Sequence, residues 1–344
     1  MKVRIMQIMW VVCLLFLTAF LLHADDVQAQ TSALRGKIVV DGSSTVYPVT
    51  EAAAAAFRKD YPNVDVTVAI SGTGGGFKRF VQGETDLSDA SRPITPKEFQ
   101  AAKEHGVQFI ELPVALDGLS VVINPQNDWV DQLTIEHLQA IYLEDGSARK
   151  WRDLNPDWPA QAIKVYSPGT DSGTFDYFKE VIVPKGKSFR PDMSTSEDDN
   201  VLVTGVAGDR YSIGYFGASY YYENESKVKA VPIINPSTGK AVLPAPEHVI
   251  NGDYAPLSRP LFIYVNYNSL RRPEVRRFVE FYLEHDAKFA TQVQYVAVPE
   301  DVGAHAEAFL KQRLTGSTYV TKAMAKSEGG LRLVYKQENL LDTK

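Results

Sequence analysis

The sequence predicts an α/β protein with two lobes and a cleft between them, and three observations lead to this prediction. Strand and helix signals alternate from Gly36 onward, which is typical of an α/β architecture with largely parallel sheets. A length of 344 residues suits two domains of ordinary size. Two extended apolar stretches, residues 109–123 and 257–265, enclose a segment that is itself as long as a domain. We therefore expect one domain to be interrupted by another, with two strands joining them at a hinge.

One local pattern occurs three times: a short apolar strand, a loop rich in Ser, Thr and Gly, and an amphipathic helix. In the first unit the strand is 38–40, the loop is 41–45 and the helix begins at about Tyr47. In the second unit the strand is 64–70, the loop is 71–76 and the helix begins near Phe77. In the third unit the strand is 163–166, the loop is 167–174 and the helix begins at Phe175. A helix start offers unpaired backbone N–H groups and the positive end of the helix dipole. Hydroxyl side chains add donors, and glycine lets an anion approach the backbone closely. Three such starts that converge would form an oxyanion site without a metal or a required lysine.

The first 29 residues match the pattern of a secretory signal peptide. Lys2 and Arg4 form a positive segment, residues 8–22 are apolar, and residues 27–29 fit a cleavage site of small residues. The apolar run is short for a membrane span, which favours a cleaved signal over an uncleaved anchor. The single cysteine, Cys13, lies in this segment. The mature chain is therefore expected to have no disulfide, no thiol nucleophile and no cysteine-ligated metal.

Other boundaries follow from local signals. Residues 51–57 are strong helix formers, and Thr95 and Thr134 each stand where a helix is expected to begin. Residues 273–289 have the pattern of an amphipathic helix. The segment after Leu314 has weak signals, and we expect it to be partly mobile.

The two crossing strands set the predicted domain boundaries. Lobe I consists of residues 36–113 together with residues 262–315, and lobe II consists of residues 114–261. Residues 316–344 form a C-terminal tail. In this arrangement the cleft lies between the lobes, next to the two strands that join them.

Charge and motifs argue against several functions. The formal net charge of −6 argues against a nucleic-acid partner. The loop at 71–78 has Phe77 where a dinucleotide-binding motif needs glycine, and it lacks the Gly-Lys-Ser/Thr of a Walker A loop. Asp-Ser-Gly-Thr occurs once, whereas an aspartic protease needs two such motifs, and Thr170 stands where a nucleophile elbow has glycine. The sequence has no His-Glu-x-x-His motif, so we expect no metal and no cofactor.

Arg92 allows two interpretations. It lies between a stretch of small residues and Pro93. Its guanidinium would be a planar, permanently charged group that faces an oxyanion. Alternatively, it would form a structural salt bridge.

With these residues considered together, the chain resembles the periplasmic phosphate-binding proteins of Pst-type ABC importers, the PstS family. The resemblance runs from about residue 36 to at least residue 270, and it rests on several motifs in the same order: 42–48, 72–77, 89–94, 169–175 and 196–202. It implies the type II periplasmic-binding-protein fold, in which two α/β lobes joined by two hinge strands hold a ligand in the cleft between them.

The resemblance also implies a phosphate site. It places ligand groups at Ser44, Thr45, Thr73, Gly74, Ser172, Gly173 and Thr174. Well-known members have an arginine shortly before the Ser-Gly-Thr sequence and a carboxylate where this chain has Ser91-Arg92. The arginine of the site therefore corresponds to Arg92, and Asp171 is the candidate for accepting the proton of hydrogen phosphate or for orienting Arg92.

The function that the resemblance implies is capture of inorganic phosphate in the periplasm and its delivery to an ABC permease complex in the inner membrane. We expect a monomer that is not an enzyme. Two alternatives stay open: a binder of another oxyanion, such as sulfate, molybdate or a phosphonate, and a secreted phosphohydrolase.

Overall fold

The computed structural model describes residues 34–170, 172–196, 198–293, 295–327 and 329–343. The predicted signal peptide lies outside these ranges, and so does Asp171. The strands are β1 (Gly36–Gly42), β2 (Val64–Ile70), β3 (Leu87–Ala90), β4 (Phe109–Ile123), β5 (Lys164–Pro168), β6 (Ser194–Ser196), β7 (Ser212–Gly217), β8 (Lys229–Ala230), β9 (Ile233–Ile234), β10 (Ala241–Val242) and β11 (Ser258–Asn266).

The α-helices are α1 (Tyr47–Asp60), α2 (Gly72–Phe80), α3 (Pro96–Glu104), α4 (Ile135–Tyr142), α5 (Gly173–Ile182), α6 (Asp199–Gly208), α7 (Ala218–Glu223), α8 (Pro246–Asn251), α9 (Pro273–Glu284), α10 (Asp286–Gln292), α11 (Glu300–Gln312) and α12 (Leu331–Val334). Short 3₁₀ helices cover Trp151–Asp153, Ser269–Arg271 and Gln337–Asn339.

One large mixed sheet organises the described part of the chain. Its strand order is β2-β1-β3-β11-β4-β7-β5-β6, with β8 also paired to β4, while β9 and β10 form a separate pair. Strand β1 is parallel to β2 and β3, and β5 is parallel to β6 and β7. Strand β11 is antiparallel to β3 and β4, and β4 is antiparallel to β7. The predicted parallel pairing is therefore found on both flanks, whereas the centre of the sheet is antiparallel.

Strands β4 and β11 connect the two flanks. The first part of β4 pairs with β11 and its last part pairs with β7. All 15 residues of β4 are buried. The β4–β11 register shifts at Leu261 and Phe262, which face Ala115 and Pro113, so that Val114 is an extra residue. A proline without an N–H is tolerated at such a shift, and the extra residue bends the strand. The predicted lobe boundaries lie next to this shift and stay a prediction.

Two predicted helix starts are confirmed by their caps. Thr95 and Thr134 each accept a hydrogen bond from the backbone N–H three residues later, and the side chains of Glu98 and His137 bond back to the cap residues. Such reciprocal bonds satisfy two backbone donors that a helix start leaves without a partner.

Three predicted helix boundaries differ in the structure. Helix α2 begins at Gly72 rather than near Phe77, and α5 begins at Gly173 rather than Phe175. Helix α2 packs so closely on β1 that a Cβ at Gly76 would lie 2.6 Å from Gly42 Cα, so tertiary packing outweighs the low helix propensity of glycine. The helix predicted over 273–289 is two helices, because His285 has a non-helical backbone and its Nδ1 lies 3.0 Å from the Phe281 carbonyl oxygen.

The tail, residues 316–344, contributes side chains to the main hydrophobic core. Its apolar side chains Tyr319, Val320, Leu331, Val334 and Tyr335 are buried in the main core. Short helices, isolated β-bridges and buried side chains together hold the tail, although its sequence has weak helix and strand signals.

A buried carboxylate on β4 holds this tail. Glu111 is fully buried, and it accepts hydrogen bonds from the Ser317 hydroxyl at 2.6 Å and from the Tyr264 hydroxyl at 2.8 Å. The Thr318 N–H and hydroxyl donate to its other oxygen at 2.9 and 3.0 Å. Burial raises the pKa of Glu111, although these hydrogen bonds act in the opposite direction. In addition, the Tyr335 hydroxyl donates to the Glu111 carbonyl oxygen at 2.7 Å.

We predict that Glu111→Ala lowers the free energy of unfolding by about 3 kcal/mol or more, because it leaves several buried donors without an acceptor. Urea unfolding followed by circular dichroism measures this loss. The control is Glu338→Ala, at an exposed glutamate of the same tail. Equal losses in the two variants would contradict the structural role of Glu111.

A second buried carboxyl supports the loop between β1 and α1. The Asp89 carbonyl oxygen accepts from the Ser43 N–H at 2.9 Å, and a Cβ at Gly42 would lie 2.1 Å from that oxygen, so this position requires glycine. The Asp89 side chain is fully buried and accepts from the Thr50 hydroxyl at 3.0 Å. Burial raises the pKa of Asp89 to about 8, the Thr50 hydrogen bond opposes this shift, and the nearby Asp41 adds to it.

This pKa predicts how stability depends on pH. Between about pH 4 and pH 8 the folded protein holds a proton on Asp89 that the unfolded chain releases, so the free energy of unfolding falls as pH rises, by up to about 1.4 kcal/mol per pH unit. Asp89→Asn cannot ionise, and we expect it to lack this part of the pH dependence. Urea unfolding at pH 5, 6 and 7 tests this, with the exposed Asp65→Asn as control. Parallel pH profiles for wild type and Asp89→Asn would show that Asp89 is ionised in the fold.

Candidate functional site

A cleft lies where β1, β2 and β3 end and the segments that follow them begin. Its volume is about 250 Å³. This is below the roughly 300–1,000 Å³ of typical pockets for organic ligands, so it suits a small ion. The lining combines five residues predicted from the sequence (Ser44, Thr45, Thr73, Gly74, Arg92) with seven others (Ser43, Gly72, Ser91, Asp176, Tyr177, Glu180, Arg259).

Two helices begin at this cleft without a side-chain cap. Val46 precedes α1 and Ser71 precedes α2, and neither makes a side-chain capping hydrogen bond among the described residues. In α1 the N–H groups of the first turn already donate to backbone carbonyl oxygens, and Pro48 has no N–H. Helix α2 is therefore the start whose first-turn N–H groups can donate to an anion. The Thr73 hydroxyl oxygen lies 3.0 Å from Ser91 Oγ and accepts from the Ser91 N–H at 3.2 Å. These bonds join the start of α2 to the loop after β3.

The third helix start is arranged differently. Ser172 caps α5 itself, since its Oγ accepts from the Thr174 N–H at 3.2 Å. Ser172 and Thr174 are not among the described residues that line the cleft, and the predicted role of Ser172, Gly173 and Thr174 as ligand groups stays a prediction. Asp171 lies outside the described residues.

Helix α5 faces the cleft with Asp176, Tyr177 and Glu180. The Ser44 hydroxyl donates to Asp176 Oδ2 at 3.4 Å, which is a contact between the first loop and α5. Neither carboxylate was among the site residues predicted from the sequence. Their spacing of four residues places them on one face of a helix and was an available signal.

Arg92 forms a structural salt bridge at the cleft, and its contact with an oxyanion stays a prediction. It lines the cleft, and its guanidinium forms a two-pronged ion pair with Glu98 at 2.8 and 2.9 Å. The Glu98 hydrogen bonds raise the pKa of Arg92. Burial opposes ionisation of Glu98, but the hydrogen bonds from Arg92 and Thr95 outweigh it and lower the pKa of Glu98. The guanidinium also lies 5.4 Å from the centre of the Phe77 ring. The ion pair therefore fixes a permanent positive charge at the cleft.

Arg259 is a second cation at the cleft, which the sequence analysis missed. It lies on β11, is 8% exposed and donates to Thr45 Oγ1 at 3.0 Å and to Glu180 Oε2 at 3.2 Å. Its Nε lies 3.5 Å from the buried Asp117 carboxylate on β4, and its Cζ lies 3.6 Å from the centre of the Tyr177 ring. Burial raises the pKa of Asp117 and the charge of Arg259 opposes that shift. An arginine within an apolar crossing strand was the available signal, because a buried charge needs partners.

A second groove, possible metal sites and possible membrane helices were also considered as functional features. A larger groove of about 420 Å³ is lined mainly by charged side chains of α9 and α11, away from the strand ends. Within the described ranges, no group of three or more His, Cys, Asp or Glu side chains is placed to hold a metal ion. None of the helices in those ranges has the length and apolar character needed to cross a membrane.

Comparison with known proteins identifies the family. Residues 27–286 match the model of the PBP superfamily domain. The chain is 46% identical over 297 residues to Protein SphX of Synechococcus elongatus, which covers 86% of this chain and 87% of that protein. It is 41% identical over 266 residues to the phosphate-binding protein PstS of Staphylococcus saprophyticus, covering 77% of this chain and 81% of that protein.

A solved structure agrees with these sequence relatives. The crystal structure of a possible phosphate binding protein from Planctomyces limnophilus has 44% sequence identity and a TM-score of 0.79, and the match covers 82% of this chain and all of that chain. The fold is thus the two-lobe fold of periplasmic binding proteins. This chain belongs to the PstS family of phosphate-binding proteins within the PBP superfamily.

Proposed function

We propose that this protein binds inorganic phosphate as the solute-binding component of an ABC importer. The observation that carries the proposal is the cleft itself, in which the start of α2 without a side-chain cap, several hydroxyl groups and two arginines face a volume suited to a small ion. The relatives of this chain include the phosphate-binding protein PstS of Staphylococcus saprophyticus. In the proposed site Ser44, Thr45, Thr73 and Gly74 supply neutral donors.

The donors are sufficient for tight binding. Hydrogen bonds to a charged group contribute ~1.5–3 kcal/mol each. Micromolar affinity requires about −8 kcal/mol, so a few such bonds together with Arg92 reach it. We propose that Ser172, Gly173 and Thr174 of the second lobe complete the site when the lobes close on the ligand, and that the lobes comprise residues 36–113 with 262–315, and 114–261.

The proposal also states where the protein acts and that it does not catalyse a reaction. The N-terminal sequence supports export to the periplasm and delivery of phosphate to a permease complex in the inner membrane. We propose that the protein acts as a monomer and that it binds phosphate without turning over a phosphate ester, since its relatives are solute-binding proteins.

We predict that the mature protein binds phosphate with micromolar or tighter affinity in isothermal titration calorimetry at pH 7. Sulfate, titrated under the same conditions, is expected to bind more weakly. No detectable heat with millimolar phosphate would refute the proposed function, and tighter binding of sulfate would identify the protein as a binder of a different oxyanion.

We predict that Arg92→Ala weakens phosphate binding by about 2–5 kcal/mol, roughly thirtyfold to several thousandfold, because the anion loses its counter-charge. Arg92→Lys should restore only part of the affinity, since lysine lacks the planar fork. The matched control is Arg277→Ala, which breaks a two-pronged ion pair with Glu284 at 2.9 Å, with a similar side-chain exposure of 31% against 29%. Titration calorimetry and thermal melting are measured on each variant. If both alanine variants lose stability and keep their phosphate affinity, Arg92 is only structural.

A further inference from the structure

The buried Tyr264 contacts two of the segments that supply residues to the cleft. It lies on β11, is fully buried and pairs with Glu111 on β4. Its hydroxyl accepts a hydrogen bond from the Ile94 N–H at 2.8 Å and donates one to Glu111 Oε2 at 2.8 Å. Its ring packs edge-on against the Phe77 ring of α2, with 4.8 Å between the ring centres. One side chain therefore contacts both the segment that follows β3 and the helix whose start faces the cleft.

The Ile94 N–H is the first backbone donor after Arg92 in the chain. Pro93, which lies between them, has no N–H, and its ring restricts the backbone of Arg92 to extended conformations. Ile94 is 1% exposed, so its N–H needs a partner inside the protein. The Tyr264 oxygen is that partner, and their hydrogen bond fixes the backbone two residues from Arg92.

The chemistry of the Tyr264 hydroxyl determines the direction of both hydrogen bonds. Burial raises the pKa of Tyr264, so the hydroxyl keeps its hydrogen at neutral pH. That single hydrogen is donated to the Glu111 carboxylate, which leaves the oxygen lone pairs for the Ile94 N–H. A phenylalanine at this position would fill the same space and provide neither bond.

The ion pair of Arg92 with Glu98 does not perform this task. The two residues are six positions apart in the segment that follows β3, so their ion pair orients the guanidinium only within that segment. The Tyr264 hydrogen bond joins the same segment to β11. The Arg92 guanidinium also lies 5.4 Å from the centre of the Phe77 ring, against which Tyr264 packs. Tyr264 thus supports Arg92 both through its backbone and through the ring beside its guanidinium.

We infer that Tyr264 is a positioning residue of the phosphate site, which holds the backbone next to Arg92 so that the guanidinium faces the cleft before phosphate arrives. This inference rests on the proposed function. Tyr264 is not among the described residues that line the cleft, so it acts through Arg92 and does not touch the anion. A side chain that is already held in its binding geometry loses less conformational freedom when the ligand binds.

The test is Tyr264→Phe, which keeps the ring and removes the hydroxyl. The matched control is Tyr335→Phe, because Tyr335 is also fully buried and its hydroxyl donates to the Glu111 carbonyl oxygen at 2.7 Å. Phosphate affinity is measured by titration calorimetry at pH 7, at a temperature where circular dichroism shows each variant to be folded. We expect Tyr264→Phe to bind phosphate about fivefold more weakly, which is the factor for ordering one long side chain on binding. We expect Tyr335→Phe to keep the affinity of wild type.

A double-mutant cycle tests whether Tyr264 acts through Arg92. In an Arg92→Ala background, Tyr264→Phe is expected to cause no further loss of phosphate affinity, because the side chain that it positions is gone. An equal loss in both backgrounds would overturn the inference. Wild-type affinity in Tyr264→Phe would overturn it as well, and so would an equal loss in Tyr335→Phe.

A measurement without phosphate separates this inference from the proposed function. Amide hydrogen exchange of the peptide that contains Ile94 is compared among wild type, Tyr264→Phe and Tyr335→Phe. We expect faster exchange at Ile94 in Tyr264→Phe alone, because its N–H loses its acceptor. Equal exchange at Ile94 in the three proteins would overturn the positioning role of Tyr264. Wild-type protein that does not bind phosphate would instead refute the proposed function.

Discussion

The antiparallel pairing of β4 with β11 is the constraint on which the rest of the structure depends. These strands join the two parallel flanks of the sheet, and they carry three buried charged side chains, Glu111, Asp117 and Arg259. Asp117 and Arg259 are direct partners in the register. Because side chains alternate between the two faces of a strand, a slip of one residue would turn Arg259 away from Asp117 and leave a buried charge without its partner. The same register holds Arg259 within hydrogen-bond distance of Thr45.

At the cleft, the arginines supply positive charge and other residues supply neutral hydrogen-bond donors. Each arginine has a carboxylate on the side away from the cleft: Glu98 for Arg92 and Asp117 for Arg259. These pairs fix the position of the guanidinium groups, so little side-chain freedom is lost when an anion arrives. Neutral hydroxyl and backbone donors face the cleft from short loops after parallel strands. In the proposed function, such an arrangement would recognise a small anion by the direction of its hydrogen bonds more than by total charge.

Much of the architecture follows from the sequence, because it depends on local signals. The three strand–loop–helix units, the capped helix starts at Thr95 and Thr134 and the two crossing strands all rest on patterns within about 15 residues, and the structure contains each of them. Five of the site residues that the resemblance implies line one cleft, because the sheet order β2-β1-β3 places their loops side by side. Arg259 could not be assigned in this way, since its partner Thr45 is 214 positions earlier in the chain and only the sheet register brings them together. The burial of the tail could not be predicted either, because its contacts with Glu111 likewise join distant segments.

The buried shell of Glu111 also bears on the order in which the protein is made. Ser317 and Thr318 lie 206 and 207 positions after the carboxylate that they bind. When the chain is synthesised from its N-terminus, β4 is made long before the residues that carry these donors. Contacts between such distant segments form late, after the entropy of a long loop has been lost. Glu111 is therefore made early but gains its full set of hydrogen-bond donors only after Ser317 and Thr318 have been made.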